Sequence, residues 1–263
     1  MTHVYIAAHV APAPQAPETY STVASATPLT GQDIAALVAP KCAVPLARIT
    51  QWQLSYPPAL SDPATALAQV MQAYANCSRC HLADRRNMLV FYRGDPNAVV
   101  ACIGEGPGKD EDMDGRSFVG ASGRLQTGMF RENRIDADRF FWMNLVGCRP
   151  CNTRFDQKDR PPQLVEKVAC SERTLWLLRS VRPRVVLCLG NESTALFWPE
   201  DATPYQNTWH TLRSPQHPDD WIIVGVLRHQ SDLLRVLPIS KMYGEYAANR
   251  LRMMRELRER LPE

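Results

Sequence analysis

At 263 residues, with 45% hydrophobic and 22% charged side chains, the chain has the makeup of an ordinary globular protein that can bury a sizeable core. No apolar run reaches the roughly 18 residues a membrane span needs, and no lysine or arginine precedes Lys41, which argues against a spanning helix and a secretory leader. A formal charge of +3 permits nucleic-acid contact without demanding it, so such contact must come from a local patch. A cytoplasmic location is expected, where the eight cysteines point to metal ligands or free thiols rather than disulfides.

In chain order, residues 1–65 form an Ala/Pro-rich arm whose prolines interrupt any long regular element, with one short helix expected near Gln32 to Val38. From Ala64 towards Asn76, Leu67, Val70, Met71 and Tyr74 recur at helical spacing. The apolar run from Ala98 to Ile103 predicts a first buried strand, and Ser122 to Asn133 a helix behind it. Phe140 to Val146, Arg184 to Gly190 and Trp221 to Leu227 predict three more strands, with a helix over Pro162 to Val181 between the first two. Asn191 is expected to cap a helix through Phe197, and an arginine-rich helix of about twenty residues starts at Lys241. Alternation of apolar strands with helices implies one α/β unit over 66–263. Its expected architecture is three α/β/α layers around a central, mostly parallel four-stranded sheet.

Two constellations carry chemistry. Gly104-Glu105-Gly106-Pro107-Gly108, followed by Glu111, Asp112 and the segment Phe118 to Gly123, stands at the carboxyl end of the first strand, where open α/β sheets place their sites. Backbone freedom, carboxylates and one aromatic ring there suit a flat polar ligand. The second constellation is Cys77-x-x-Cys80 with Cys148, Cys151 and Cys170 farther along. Cys77, Cys80, Cys148 and Cys151 would make two Cys-x-x-Cys units with the spacing of a structural zinc site. Cys77, Cys80, Cys148 and Cys170 would make an irregular set better suited to a 4Fe-4S cluster. Cys42, Cys102 and Cys188 read as ordinary small residues.

The order of these motifs, from Cys77-x-x-Cys80 through Gly-Glu-Gly-Pro-Gly, Phe118-Val-Gly-Ala-Ser-Gly, a strand ending in Asn144, Cys148-Arg-Pro and Cys170 to His229-x-Ser231, resembles the family 4 iron-sulfur uracil-DNA glycosylases. The likeness covers about Cys77 to Arg235 and implies a DNA glycosylase acting in base excision. It places Glu105 and Gly106 beside the scissile bond, Phe118 under a flipped uracil, Asn144 at the uracil edge, and His229 at its O2, with Ser231 completing that motif. The same likeness puts a 4Fe-4S cluster on Cys77, Cys80, Cys148 and Cys170. It implies DNA as partner and no membrane, and a monomer is expected.

The chemistry is intelligible in its own terms. Breaking an N-glycosidic bond builds positive charge on the sugar and negative charge on the pyrimidine, so donors belong at the base and an anion or held water at the sugar. His229 and Asn144 suit the first task, Glu105 or Glu111 the second, and Leu233 and Leu234 could wedge into the space left by the flipped base. Gln230 stands where the family has proline and Asp232 adds an acid near DNA. These departures keep two further readings open: excision of another modified base, as in anti-phage defence, or a non-catalytic iron-sulfur DNA-binding module. Arg149 and Arg154, near the cysteines, are the cations expected to meet phosphate.

Overall fold

The computed structural model describes residues 62–156, 158–198, 205–213, 221–229 and 241–260. The arm, its expected helix, Cys42, and the loop bearing Gln230, Ser231, Asp232, Leu233 and Leu234 lie outside the described residues. The strands are β1 (Tyr92–Gly94), β2 (Val100–Gly104), β3 (Phe141–Asn144), β4 (Val185–Leu189), β5 (Thr208–Arg213) and β6 (Trp221–Leu227). The helices are α1 (Pro63–Tyr74), α2 (Lys109–Asp114), α3 (Ala121–Glu132), α4 (Leu164–Val181), α5 (Asn191–Thr194) and α6 (Lys241–Arg260). None is long and apolar enough to cross a membrane among the described residues.

Among the described residues the sheet has six strands, not four, in the order β1-β3-β2-β4-β6-β5. The four apolar runs form its parallel centre, with β2 between β3 and β4 and β6 on the far side of β4. The short β1 and the polar β5 are added antiparallel at the two edges. Side chains alternate across the sheet, as strand geometry requires. Ala101, Ile103, Met143 and Val186 pack with Leu67 and Val70 of α1 and Leu177 and Leu178 of α4, while Val100, Cys102, Trp142 and Leu187 pack with Phe130 of α3 and Met253, Met254 and Leu257 of α6. The result is three layers, α/β/α.

Local chemistry explains the element ends. Asp62 caps α1 through Thr65 N at 3.1 Å, and Pro63 takes the first helical position, where its missing N–H costs nothing. Asn191 is the first residue of α5 rather than its cap. Gly190 holds the cap position, and its carbonyl receives the hydroxyls of Ser193 and Thr194 at 3.1 and 2.8 Å, so the helix closes after one turn.

Candidate active site

The carboxyl ends of the parallel strands converge on one cleft. In register, Gly104 ends β2 opposite Asn144 at the end of β3, and His229 follows β6. The cleft holds about 490 Å³ and is lined by Glu105, Gly106, Glu111, Phe118, Asn144 and His229 among others. Six of the residues singled out in the sequence therefore share one cavity, while Ser231, Leu233 and Leu234 lie outside the described residues.

Close approach sets the geometry. A Cβ at Gly104 would stand 2.5 Å from Phe118 Cζ and 2.6 Å from Asn144 Oδ1, so the absence of a side chain there lets ring and amide meet over the end of β2. Phe118 is 6% exposed and adopts φ +59°, which costs a bulky residue strain unless its surroundings enforce it. Two neighbours do so: Trp142 packs against its ring with centroids 5.0 Å apart, and Gly123 leaves room for its backbone, since a Cβ there would fall 2.1 Å from the Phe118 carbonyl oxygen. Asn144 is also buried, and its carbonyl accepts a long bond from Arg173 at 3.5 Å. His229 is half-buried and lies against Gly190, where a Cβ would come within 3.1 Å of the histidine Cβ.

The two candidate carboxylates differ. Glu105 is half-buried at the cleft wall, with its carbonyl accepting from Val146 N at 3.3 Å. Glu111 is buried, and its oxygens accept from Gly108 N at 3.0 Å and Gly120 N at 2.7 Å. One carboxylate thus joins the starts of α2 and α3, satisfying amides that a helix leaves without intrahelical partners.

A second wall was not apparent from the sequence motifs. Pro150, Asp159, Arg160 and Pro161 also line the cleft. Arg149, expected at phosphate, is instead buried, donating to Asp159 at 2.5 Å and to the Asp156 carbonyl at 2.8 Å. Arg154 is exposed and donates to Asn87 Oδ1 at 2.9 Å. Arg160 grips Glu166 with both terminal nitrogens, at 2.9 and 2.5 Å.

Cys77, Cys80, Cys148 and Cys170 line a separate small cavity with Arg79, Arg86 and Arg173 around them. Cys151 lies outside that lining; its carbonyl accepts from Arg85 at 2.9 Å and from Arg160 at 3.3 Å. Burial, with Cys170 close by, pushes the Cys80 and Cys148 thiols up to about 12, so metal-free they hold their protons at neutral pH. Arg86 reaches Cys148 Sγ at 3.5 Å, and Arg79 pairs with Glu172 on α4. Among the described residues, no three His, Cys, Asp or Glu side chains form a group that could hold a single metal ion. The donor set is four thiols lining one small cavity with three arginines around them, a set whose chemistry suits a thiolate-bound metal centre.

An open sheet with an aromatic ring, an amide, an imidazole and a carboxylate gathered in a cleft at its carboxyl edge defines the class of open-sheet α/β proteins with a pocket at the strand ends. Residues 91–250 match the family described as the uracil DNA glycosylase superfamily, and the chain belongs to that superfamily. Several similar proteins carry the name type-4 uracil-DNA glycosylase. The chain is 35% identical over 130 residues to the type-4 uracil-DNA glycosylase of Sulfurisphaera tokodaii, covering 49% of this chain and 56% of that protein. Identity to the type-4 uracil-DNA glycosylase of Archaeoglobus fulgidus is 34% over 125 residues, covering 48% and 60%. For the type-4 uracil-DNA glycosylase of Thermotoga maritima it is 33% over 128 residues, covering 49% and 64%. The chain thus spans less than two thirds of each of these relatives.

Proposed function

We propose that the protein is a monofunctional DNA glycosylase that hydrolyses the N-glycosidic bond of uracil in DNA, working as a cytoplasmic monomer in base excision. The observation that carries this reading is the meeting of Glu105, Phe118, Asn144 and His229 in one cleft, from chain segments far apart in sequence. The catalytic unit spans residues 66–263, and the 1–65 arm is an appendage to it.

Each side chain has a task that its position allows. A base turned out of the stack lies on Phe118, whose strained backbone and Trp142 support fix the ring before the ligand arrives. Asn144 reads the polar edge of the base, since a buried amide discriminates strongly against a partner that leaves it unpaired. His229 donates to O2 as the pyrimidine departs with negative charge. Glu105 faces the sugar, where it holds the attacking water and offsets the positive charge that develops there. Glu111, with its oxygens on backbone amides, positions the loop that carries Glu105.

Cys77, Cys80, Cys148 and Cys170 would hold a 4Fe-4S cluster, which supplies a covalent cross-link between the turn after α1, the loop after β3 and α4. The chemistry at the base is assigned to the cleft residues alone.

The test is incubation of the purified protein with a uracil-containing oligonucleotide, followed by alkali to cut abasic sites. Cleavage at the uracil position is expected, and its loss in His229→Ala by about 100-fold or more. Cleavage only at another modified base would move the reading to that base, and binding without cleavage would overturn it. Colour from the visible iron-sulfur band, lost in Cys170→Ser and kept in Cys151→Ser, tests the ligand set.

A further inference from the structure

The loop after β3 leaves the cleft at Pro150 and returns to it at Asp159 to Pro161. Its base is closed by Arg160 N–H on the Pro150 carbonyl at 3.1 Å. Its outer turn is fixed from within: Asp156 accepts from Asn152 N at 2.7 Å, Thr153 N at 3.0 Å and the Thr153 hydroxyl at 2.5 Å. At that turn stands Phe155, 85% exposed and the most exposed of the large hydrophobic side chains described. A closed loop of this kind holds its tip in place with little conformational freedom left to lose. The cleft chemistry does not use this ring.

The charge around it is positive on balance. Arg154 and Lys158 are exposed on either side. The loop's two carboxylates are already engaged, Asp156 with the turn and Asp159 with Arg149. An aromatic face flanked by exposed cations matches a nucleic-acid strand, which offers a flat base and a phosphate together. Reach agrees. Asp159 at the cleft wall lies four residue steps along the chain from Phe155, at most about 14 Å of chain, equal to about four nucleotides at 3.4 Å each.

We infer that Phe155 is a second base-stacking platform, on which an unpaired base of the DNA strand, within about four nucleotides of the one in the cleft, rests while Arg154 and Lys158 hold its phosphates. The inference rests on the glycosylase reading for the identity of the strand. It adds a subsite outside the cleft and favours strands whose bases near the target are already unstacked.

The test is binding of a fluorescent single-stranded oligonucleotide, followed by anisotropy, with and without uracil. Phe155→Ala is expected to weaken binding to both strands about 10-fold, and Phe155→Trp to restore it to within about 2-fold of the wild type. Stacking and phosphate contact separate by salt: Arg154→Ala lowers the slope of log K against log salt by about one, whereas Phe155→Ala leaves it unchanged. A 2-aminopurine placed one to four nucleotides from the uracil is quenched by the wild-type protein and less by Phe155→Ala. Wild-type affinity in Phe155→Ala, or no recovery in Phe155→Trp, overturns the inference. Because the uracil-free strand reports stacking without any excision, wild-type protein that binds it through Phe155 yet leaves uracil in place would sink the glycosylase reading alone.

Discussion

Gly104 is where two site residues meet, and its lack of a side chain does more for the cleft than its backbone freedom. Phe118 Cζ and Asn144 Oδ1 both lie within 2.6 Å of the point a Cβ would occupy, and neither can retreat easily: Phe118 is held by Trp142 and Gly123, and Asn144 ends a buried strand. Gly104→Ala must therefore displace the ring, the amide or both. A misplacement of about 1 Å is enough to cost on the order of 100-fold in rate. We expect kcat/KM on uracil DNA to fall by about that factor, with a stability loss in the overpacking range of about 1–3 kcal/mol. Steady-state kinetics beside a thermal melt measures the two separately. An alanine variant with wild-type kcat/KM would show that the contact does not govern the site.

Among the elements, those that bear the site are tied together by single side chains. Glu111 bonds the start of α2 and the start of α3 at once, so Glu111→Ala frees two amides, one half-buried at Gly108 and one buried at Gly120. The expected cost is about 1–3 kcal/mol, with a fall in kcat/KM larger than that of a distant variant of equal stability. Arg250 makes a comparable tie on the other side. From α6 it donates to the Arg228 carbonyl at 2.5 Å and to Gln126 on α3, fixing the residue before His229. Arg250→Met keeps most of the buried volume and removes both bonds. Activity should drop together with protection of the β6 terminus from hydrogen exchange, and unchanged exchange there would refute the tie.

These ties mark the limit of what the sequence discloses about elements. The four strands of the parallel centre are legible because both faces are buried and the runs are nearly all apolar. β1 is only three residues long, and β5 carries His210 at an inward position beside Leu212, so neither presents an apolar run. α2, Lys-Asp-Glu-Asp-Met-Asp, has no apolar stripe and is held by Glu111 instead. Glu105, Phe118, Asn144 and His229 could be singled out because motif order marks them. The opposite wall of Asp159, Arg160 and Pro161 could not, because loop closure on the Pro150 carbonyl and the ion pair from Arg160 to Glu166 bring it there.

Across the whole molecule, Glu166 links the cysteine cavity to the cleft. It is fully buried at the start of α4, the helix that carries Cys170. It holds Arg160 at the cleft wall by two bonds, His81 beside Cys80 at 2.7 Å, and Gln163 N at 2.7 Å. Burial alone would raise its pKa. The bonds from Arg160 and Gln163 and the charges of Arg160 and His81 outweigh that and hold the carboxyl below its ordinary value of 4.5. A carboxylate with a depressed folded-state pKa contributes stability that is complete above the unfolded value and is lost as pH falls through the folded one. The wild-type protein should therefore hold its stability down to about pH 5 and lose it on further acidification. Glu166→Gln keeps the shape but leaves Arg160 without its carboxylate. Losing one partner of a fully buried pair costs about 3–5 kcal/mol, and Arg160 keeps part of its side chain in solvent, so the cost here lies below that range. The variant should be less stable than wild type at pH 7, and the difference should shrink towards zero as the pH is lowered below 4.5. Urea melts from pH 7 downwards measure that difference, and a constant gap across the range would show that Glu166 is not the titrating link. Because the same carboxylate orients the turn beside Cys80 and the Arg160 wall, the absorbance of the cluster proposed on the four cysteines should bleach in Glu166→Gln at a lower urea concentration than in the wild type. Its kcat/KM should fall at pH 7 before any bleaching, which a purely global loss of stability would not produce.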